Sequence, residues 1–290
     1  MTEKHLVTLT NATKRYSGRN VLDKVDLDLS KGETTVLTGP NGSGKSTLLR
    51  AIGGLTALTS GSRETRPARG SRLEVGYAPD HLPKLKLTGR EYLGHMAAIG
   101  GMEPRAARER IETLLARMKL PAGSERLRMH DYSKGMLQKI NLLQAMLREP
   151  ELLLLDEPLG GLDGEAKAEC ERVLEEMRQS GATIVLASHE PVWSEKLADR
   201  RLAIANGRIV REERFAPQVR VRWRLVQCAL PAGGALPSYG EPEGVMNSRE
   251  ERGQMRYWVD EDRSDALLQA LLSAGASILA VRSGEGETEE

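Results

Sequence analysis

Gly39-Pro40-Asn41-Gly42-Ser43-Gly44-Lys45-Ser46 follows a short β-branched run, Thr34–Thr38, and opens a helical pattern over Ser46–Ile52. Strand, glycine-rich loop and helix in that order satisfy the G-x-x-x-x-G-K-S spacing of a phosphate-binding loop. The glycines let successive backbone amides converge on a phosphate, and the helix start adds its positive end. Lys45 is placed to neutralise β- and γ-phosphate oxygens and Ser46 to put its hydroxyl on a magnesium ion, while Thr47 completes the nucleotide-binding set. Asn41 and Ser43 occupy permissive positions. Such a loop does not separate kinases, GTPases and motor-type ATPases.

The next informative stretch is Leu152-Leu153-Leu154-Leu155-Asp156-Glu157. Four leucines in a row predict a strand buried on both faces, and an acid at its C-terminal end is where a carboxylate can bind magnesium, directly or through water. Glu157 supplies a second carboxylate able to polarise an attacking water. Without the loop at residues 39–46, the same pattern reads as a strand merely ended by acids.

Working outward, Leu6–Tyr16 and Val21–Leu29 alternate and predict two antiparallel strands joined by a Ser17-Gly18 turn. Leu73–Tyr77, Thr183–Ser188 and Leu202–Ala205 are short apolar runs separated by helical patterns, the signature of buried parallel strands. Residues 89–149 read as helical, with Leu93, Met96, Ala97 and then Ile111, Leu114, Leu115 and Met118 at helical spacing. A parallel sheet carrying an inserted helical region follows.

Charge divides the chain. Residues 216–290 hold no lysine and 8 Arg against 12 acidic residues, a net of −4, which leaves +5 for residues 1–215 of a chain whose total is +1. A domain boundary is expected at Phe215-Ala216-Pro217. Beyond it, Val219–Val226 predicts a strand with Val219, Val221, Trp223 and Leu225 on one face and arginines on the other. Met255–Val259 and Ser277–Val281 predict two more strands around a helix at Ser264–Ala274, and Ala229–Gly253 reads as loop. Near-neutral charge and 3% aromatic residues argue against bulk nucleic-acid binding. The longest uncharged stretches, 225–240 and 266–281, fall short of the roughly 20 apolar residues of a membrane span. No signal peptide is evident, and Cys170 and Cys228 have no ligand or redox spacing. The expectation is a soluble protein of a reducing compartment.

Taken in order, these motifs resemble the ATP-binding cassette family, the nucleotide-binding subunits of ABC transporters, over about residues 4–214. Tyr132-Ser133-Lys134-Gly135-Met136 is similar to the family's Leu-Ser-Gly-Gly-Gln signature. The resemblance implies that Ser133, Lys134, Gly135 and Met136 face ATP held by the opposite subunit, which a serine-capped helix start suits. Gly161-Leu162-Asp163 is similar to the D-loop, and His189 in Ala187-Ser188-His189-Glu190 to the switch histidine that senses the γ-phosphate. Tyr16 fits either the aromatic that stacks on adenine or a residue packing on the sheet. The implied fold is α/β: a P-loop NTPase cassette with a parallel core sheet, an antiparallel β subdomain and a helical subdomain at about 89–149, spanning 1–215. A small C-terminal α/β accessory module follows at 216–290.

Two departures stand out. Asp80 in Tyr77-Ala78-Pro79-Asp80 replaces the family's Q-loop glutamine; it can accept from a magnesium-bound water but lacks the amide donor. Lys134 replaces a signature glycine and Met136 the glutamine. Lys134 adds positive charge near a phosphate if turned inward and is otherwise a solvated helix-start lysine. The resemblance implies ATP and Mg2+ as ligands, hydrolysis with Glu157, His189 and Lys45 as catalytic residues, and Ser46, Asp156 and Asp80 around the metal. It also implies a second ATP-binding subunit, identical or not, and a multi-span membrane permease that would hold the chain on the cytoplasmic face. Leu87-Thr88-Gly89-Arg90-Glu91-Tyr92-Leu93 looks like drug-export subunits. The alternative is a soluble ATPase of the same family acting as a nucleotide-gated regulator or with nucleic acid or ribosomes.

Overall fold

His5–Tyr16 (β1) and Arg19–Ser30 (β2) pair antiparallel through Ser17 and Gly18. The φ values of these two residues, 46° and 80°, are the left-handed pair that matches hairpin twist. The computed structural model describes residues 5–68, 72–118, 120, 123–160, 162–188, 198–215, 222–229, 244–251, 254–260 and 263–285. Thr34–Thr38 (β3) begins the second sheet, and Ser60–Thr65 (β4) joins the free edge of β1 to complete a three-stranded sheet, β2-β1-β4. Sequence patterning gave no sign of β4, whose Ser-Gly-Ser-Arg-Glu-Thr lacks apolar alternation. Its Arg63 donates to the Ile52 carbonyl at 2.6 Å and so closes the C-terminus of the helix Lys45–Ile52 (α1).

The second sheet adds Val75–Ala78 (β5), Leu152–Asp156 (β6), Thr183–Ala187 (β7), Arg200–Ala205 (β8) and Arg208–Arg214 (β9) in the order β5-β6-β7-β3-β8-β9. All pairs are parallel except the β8–β9 hairpin. Every residue of β6 and β7 is buried, which is why both read as unbroken apolar runs. The leucine run divides between two cores. Leu152 and Leu154 pack with Leu9, Leu27 and Leu49 toward α1 and the three-stranded sheet. Leu153 and Leu155 pack with Leu93, Ile111, Leu143 and Val173 of the helical side. Each such buried leucine contributes about 1.5–3 kcal/mol.

That helical side comprises Gly89–Ile99 (α2), Pro104–Arg117 (α3), Lys134–Met146 (α4) and Gly164–Gln179 (α5). Their starts are written in the sequence. Thr88 and Glu91 form a reciprocal capping box, Glu103 caps α3 ahead of Pro104, Ser133 caps α4, and Asp163 caps α5. Helix α4 lies close on β5: a Cβ at Gly76 would stand 1.9 Å from the Ala145 carbonyl oxygen.

The chain divides into two compact units, Met1–Ala216 and Pro217–Glu290. In the second, Arg222–Ala229 (β10), Val245–Glu251 (β11), Gln254–Asp260 (β12) and Ser277–Glu285 (β13) form an antiparallel sheet, β11-β12-β10-β13. Ser264–Ser273 (α6) packs on it around Val226, Cys228, Tyr257, Val259, Leu267 and Leu271. Two sequence expectations are corrected here. The buried face of β10 is that of Val226 and Cys228, the same side as Arg224, rather than the Leu225 side. The stretch expected to be loop contains β11, an edge strand whose Asn247-Ser248-Arg249-Glu250 is exposed and offers no period to read. Both cysteines are free and buried, and burial pushes the Cys170 thiol up to about 12. Among the described residues no helix is long and apolar enough to cross a membrane.

A Cβ at Gly76 would run into the Ala145 carbonyl, which as helix backbone cannot swing aside like a flexible side chain. Gly76→Ala is therefore expected to cost about 3 kcal/mol. For a unit of this size that lowers Tm by about 6–12 °C in a thermal melt.

Candidate active site

The loop after β3 is shaped by close approach. Gly39 has φ 142°, and a Cβ there would lie 2.2 Å from the Ile204 carbonyl oxygen of β8; Gly44, at φ 110°, would place one 2.7 Å from the Val21 oxygen of β2. Neither position admits a side chain. The loop is thus clamped between the two sheets, and Gly207 of the β8–β9 turn donates its amide to the Ser43 carbonyl at 2.9 Å. Within the clamp, Lys45 folds back so that Nζ donates to the carbonyls of Gly39 at 2.7 Å and Pro40 at 3.3 Å. The first turn of α1 leaves its amides for whatever occupies the pocket.

Asn41, Gly42, Gly44, Lys45, Ser46 and Thr47 line one pocket together with Val21, Asp80, Asp156 and Glu157. Ser46 Oγ donates to Asp156 Oδ1 at 3.1 Å, joining α1 to the end of β6. Burial raises the Asp156 carboxyl above its ordinary range; the Ser46 hydrogen bond opposes this, while the charges of Asp80 and Glu157 reinforce it. A hydroxyl and a buried carboxylate with two further carboxylates nearby form an all-oxygen, charge-rich set, the chemistry a hard divalent cation needs. Glu157 takes the left-handed conformation, φ 49°, with its amide donating to Ala187 at 3.0 Å. A non-glycine residue held there is strained, and such strain collects at functional sites.

The remaining expected residues fall in three groups. Asp80 reaches the pocket but is half exposed and paired with His81 at 3.2 Å. Tyr16 is 43% exposed, hydrogen-bonds Thr56 at 3.4 Å and has Lys14 Nζ 4.9 Å from its ring centroid; it does not line the pocket. Ser133, Lys134, Gly135 and Met136 do not line it either. Ser133 Oγ accepts from the Met136 amide at 3.2 Å as the α4 cap, and Gly135 sits against Leu162. Lys134 extends along its own chain, with Nζ 3.8 Å from where a Gly160 Cβ would be. Asp163 caps α5. Gly161 and His189 lie outside the described residues.

Sequence reasoning missed the clamp. Asn206-Gly207, with φ of 50° and 74°, is the short-range hairpin signal that would have found β8–β9 and so the support of the loop. Val21 has no such signal, since its role comes from its backbone oxygen.

Residues 22–160 match the ABC transporter family. The zinc import ATP-binding protein ZnuC of Ruegeria sp. (strain TM1040) is 38% identical over 64% of this chain and 71% of its own length. YhaQ of Bacillus subtilis, an uncharacterized ABC transporter ATP-binding protein, is 33% identical over 93% of this chain and 92% of its own. The daunorubicin resistance ATP-binding protein DrrA3 of Streptomyces coeruleorubidus is 33% identical over 71% and 67%. Among solved structures, an ATP-binding subunit of an ABC transporter superposes with a TM-score of 0.63 at 29% identity, covering 72% of this chain and 90% of that one. With the clamped phosphate loop and the acids ending β6, these likenesses identify the chain as an ATP-binding subunit of the ABC transporter family, a P-loop ATPase.

Proposed function

We propose that two such cassettes close head to tail over two ATP molecules and that this closure, released by hydrolysis, drives export through a separate membrane-spanning subunit. The observation that carries the reading is the separation within one chain. Lys45, Ser46, Asp156 and Glu157 share a pocket, whereas Ser133 begins a helix whose first residues do not line it. A second copy would bring its Ser133–Met136 to the open side of that pocket, with Leu162 and Asp163 at the seam. The family names of the relatives support coupling to transport. Resistance in the name of DrrA3 supports export, and the YhaQ match, running through both units, supports residues 216–290 as an accessory module of the same subunit.

In this reading Lys45 exchanges the Gly39 and Pro40 carbonyls for β- and γ-phosphate oxygens, and the amides at the start of α1 hold the β-phosphate. Ser46 and Asp156 would hold Mg2+, which supplies charge neutralisation to the phosphates. Glu157 accepts a proton from the attacking water as its oxygen bonds to the γ-phosphorus and the bond to the β-phosphate oxygen breaks, giving ADP and inorganic phosphate. Tyr16 offers a ring for adenine, and His189 follows β7 as the γ-phosphate sensor. Asp80, lining the same pocket, would add a third carboxylate near the cation.

Four outcomes test the reading. Glu157→Gln should leave ATP binding intact, cut turnover at least about 100-fold, and give an ATP-dependent dimer by light scattering; a variant that stays monomeric with ATP contradicts the closure. Because the fold raises the Asp156 carboxyl, its contribution to stability is full below the unfolded value and lost as pH rises through the raised one. At neutral pH the bare anion is therefore a cost that a cation offsets. Asp156→Asn should accordingly melt no lower than the parent without Mg2+ and ATP at pH 7, yet lose the Mg2+-dependent rise in Tm. Asp80→Gln should raise ATP turnover if the acid is a brake, and an unchanged rate discards that role. For direction, vesicles carrying the subunit with its permease should show ATP-driven movement away from the face that binds ATP.

A further inference from the structure

Helix α4 carries three side-chain amides along one stripe, Gln138, Asn141 and Gln144, spaced three residues apart. Gln138 is 6% exposed and Asn141 fully buried. Each donates to a backbone carbonyl at the end of a strand that leads into the pocket. Gln144 Nε2 donates to the Tyr77 carbonyl at 2.9 Å, Asn141 Nδ2 to that of Pro79, and Gln138 Nε2 to that of Glu157 at 3.2 Å. The donors are oriented by their own neighbours: Tyr92 donates to Gln144 Oε1 at 3.2 Å, and Gln144 Nε2 also reaches Asn141 Oδ1 at 3.3 Å. Burying two or three amides on a helix face that elsewhere packs with Ile140, Leu143 and Met146 is costly unless the bonds they make are needed.

What they hold is specific. Pro79 precedes Asp80, and Glu157 is itself the residue in left-handed conformation. The Glu157 carbonyl also accepts from the Gly160 amide at 3.2 Å, and its own amide donates to Ala187 at 3.0 Å. The local turn is therefore closed without Gln138. Gln138 adds a third restraint, directed from the helix that starts at Ser133.

We propose that Gln138 is a positioning residue for Glu157, fixing the peptide after β6 so that the carboxylate is presented to the phosphate end of the pocket, with Asn141 doing the same for Asp80. The proposal rests on the reading of Glu157 as the proton acceptor. It also ties that carboxylate to α4, so that the position of Ser133 against a partner's nucleotide bears on the position of Glu157. A residue acting this way lowers kcat without weakening ATP binding, since the loop at residues 39–46 is clamped by other contacts.

The test uses the purified full chain. Gln138→Met keeps length and removes the donor; kcat for ATP should fall about tenfold with KM and ATP binding within about twofold of the parent. Gln138→Lys, which restores a donor of similar reach, should recover most of the rate and serves as the second variant should the methionine form melt early. In a Glu157→Gln background, Gln138→Met should add no further loss, because both act through one group. A Gln138→Met chain with parental kcat, a parallel loss of ATP binding, no recovery with lysine, or additive loss in the double variant would each overturn the proposal. If Glu157→Gln alone keeps turnover, the reading of Glu157 fails instead, and the two failures are thereby distinguished.

Discussion

Asp156 ends a strand whose other four residues are fully buried leucines, and its carboxylate receives the Ser46 hydroxyl at 3.1 Å. An anion in that position is unfavourable by itself, as the raised carboxyl reflects. The arrangement makes sense when positive charge is delivered to it. Lys45 and the start of α1 follow β3, which is separated from β6 only by β7. The parallel sheet puts the C-terminal ends of β3 and β6 on one edge, and crevices at such edges are where α/β proteins take their ligands. The two cores on either side of the leucine run hold that edge in place.

The glycines show how much of the site depends on distant parts of the chain. Gly39 and Gly44 are required because β8 and β2 approach them, residues 204 and 21 reaching the loop from both directions in sequence. Spacing alone flagged the loop, and the helix start at Ser133 was equally legible because capping is a local preference; Thr88 and Asp163, read only for the motifs they belong to, are caps of the same kind. Strands β4, β9 and β11 were not, since each is an edge or exposed strand of mostly polar residues whose pairing is decided by tertiary context. The same holds for Gln138, Asn141 and Gln144. A polar residue inside a helix reads as surface until the carbonyls opposite it are known.

In the proposed dimer several residues would carry two duties. Ser133 and Asp163 are ordinary N-caps within the chain, and the same side chains belong to the segments assigned to the dimer seam. A cap holds its side chain at a fixed place and exposes the helix start, so in the proposed dimer local stability and a contact with a partner's phosphates would draw on one geometry. Lys134, directed toward Gly160, places a cation at the same helix start, where the family signature has a glycine.

The central claim is that one catalytic site is assembled from two chains, and subunit complementation tests it most directly. A Lys45→Ala chain loses the phosphate loop and a Ser133→Arg chain loses the helix start offered to its partner. Each alone should be inactive. Mixed in equal amounts, half of the pairs would be mixed and each would contain one intact site of two, so about one quarter of the parental ATPase rate should return. A mixture no more active than its separate components would contradict the shared site.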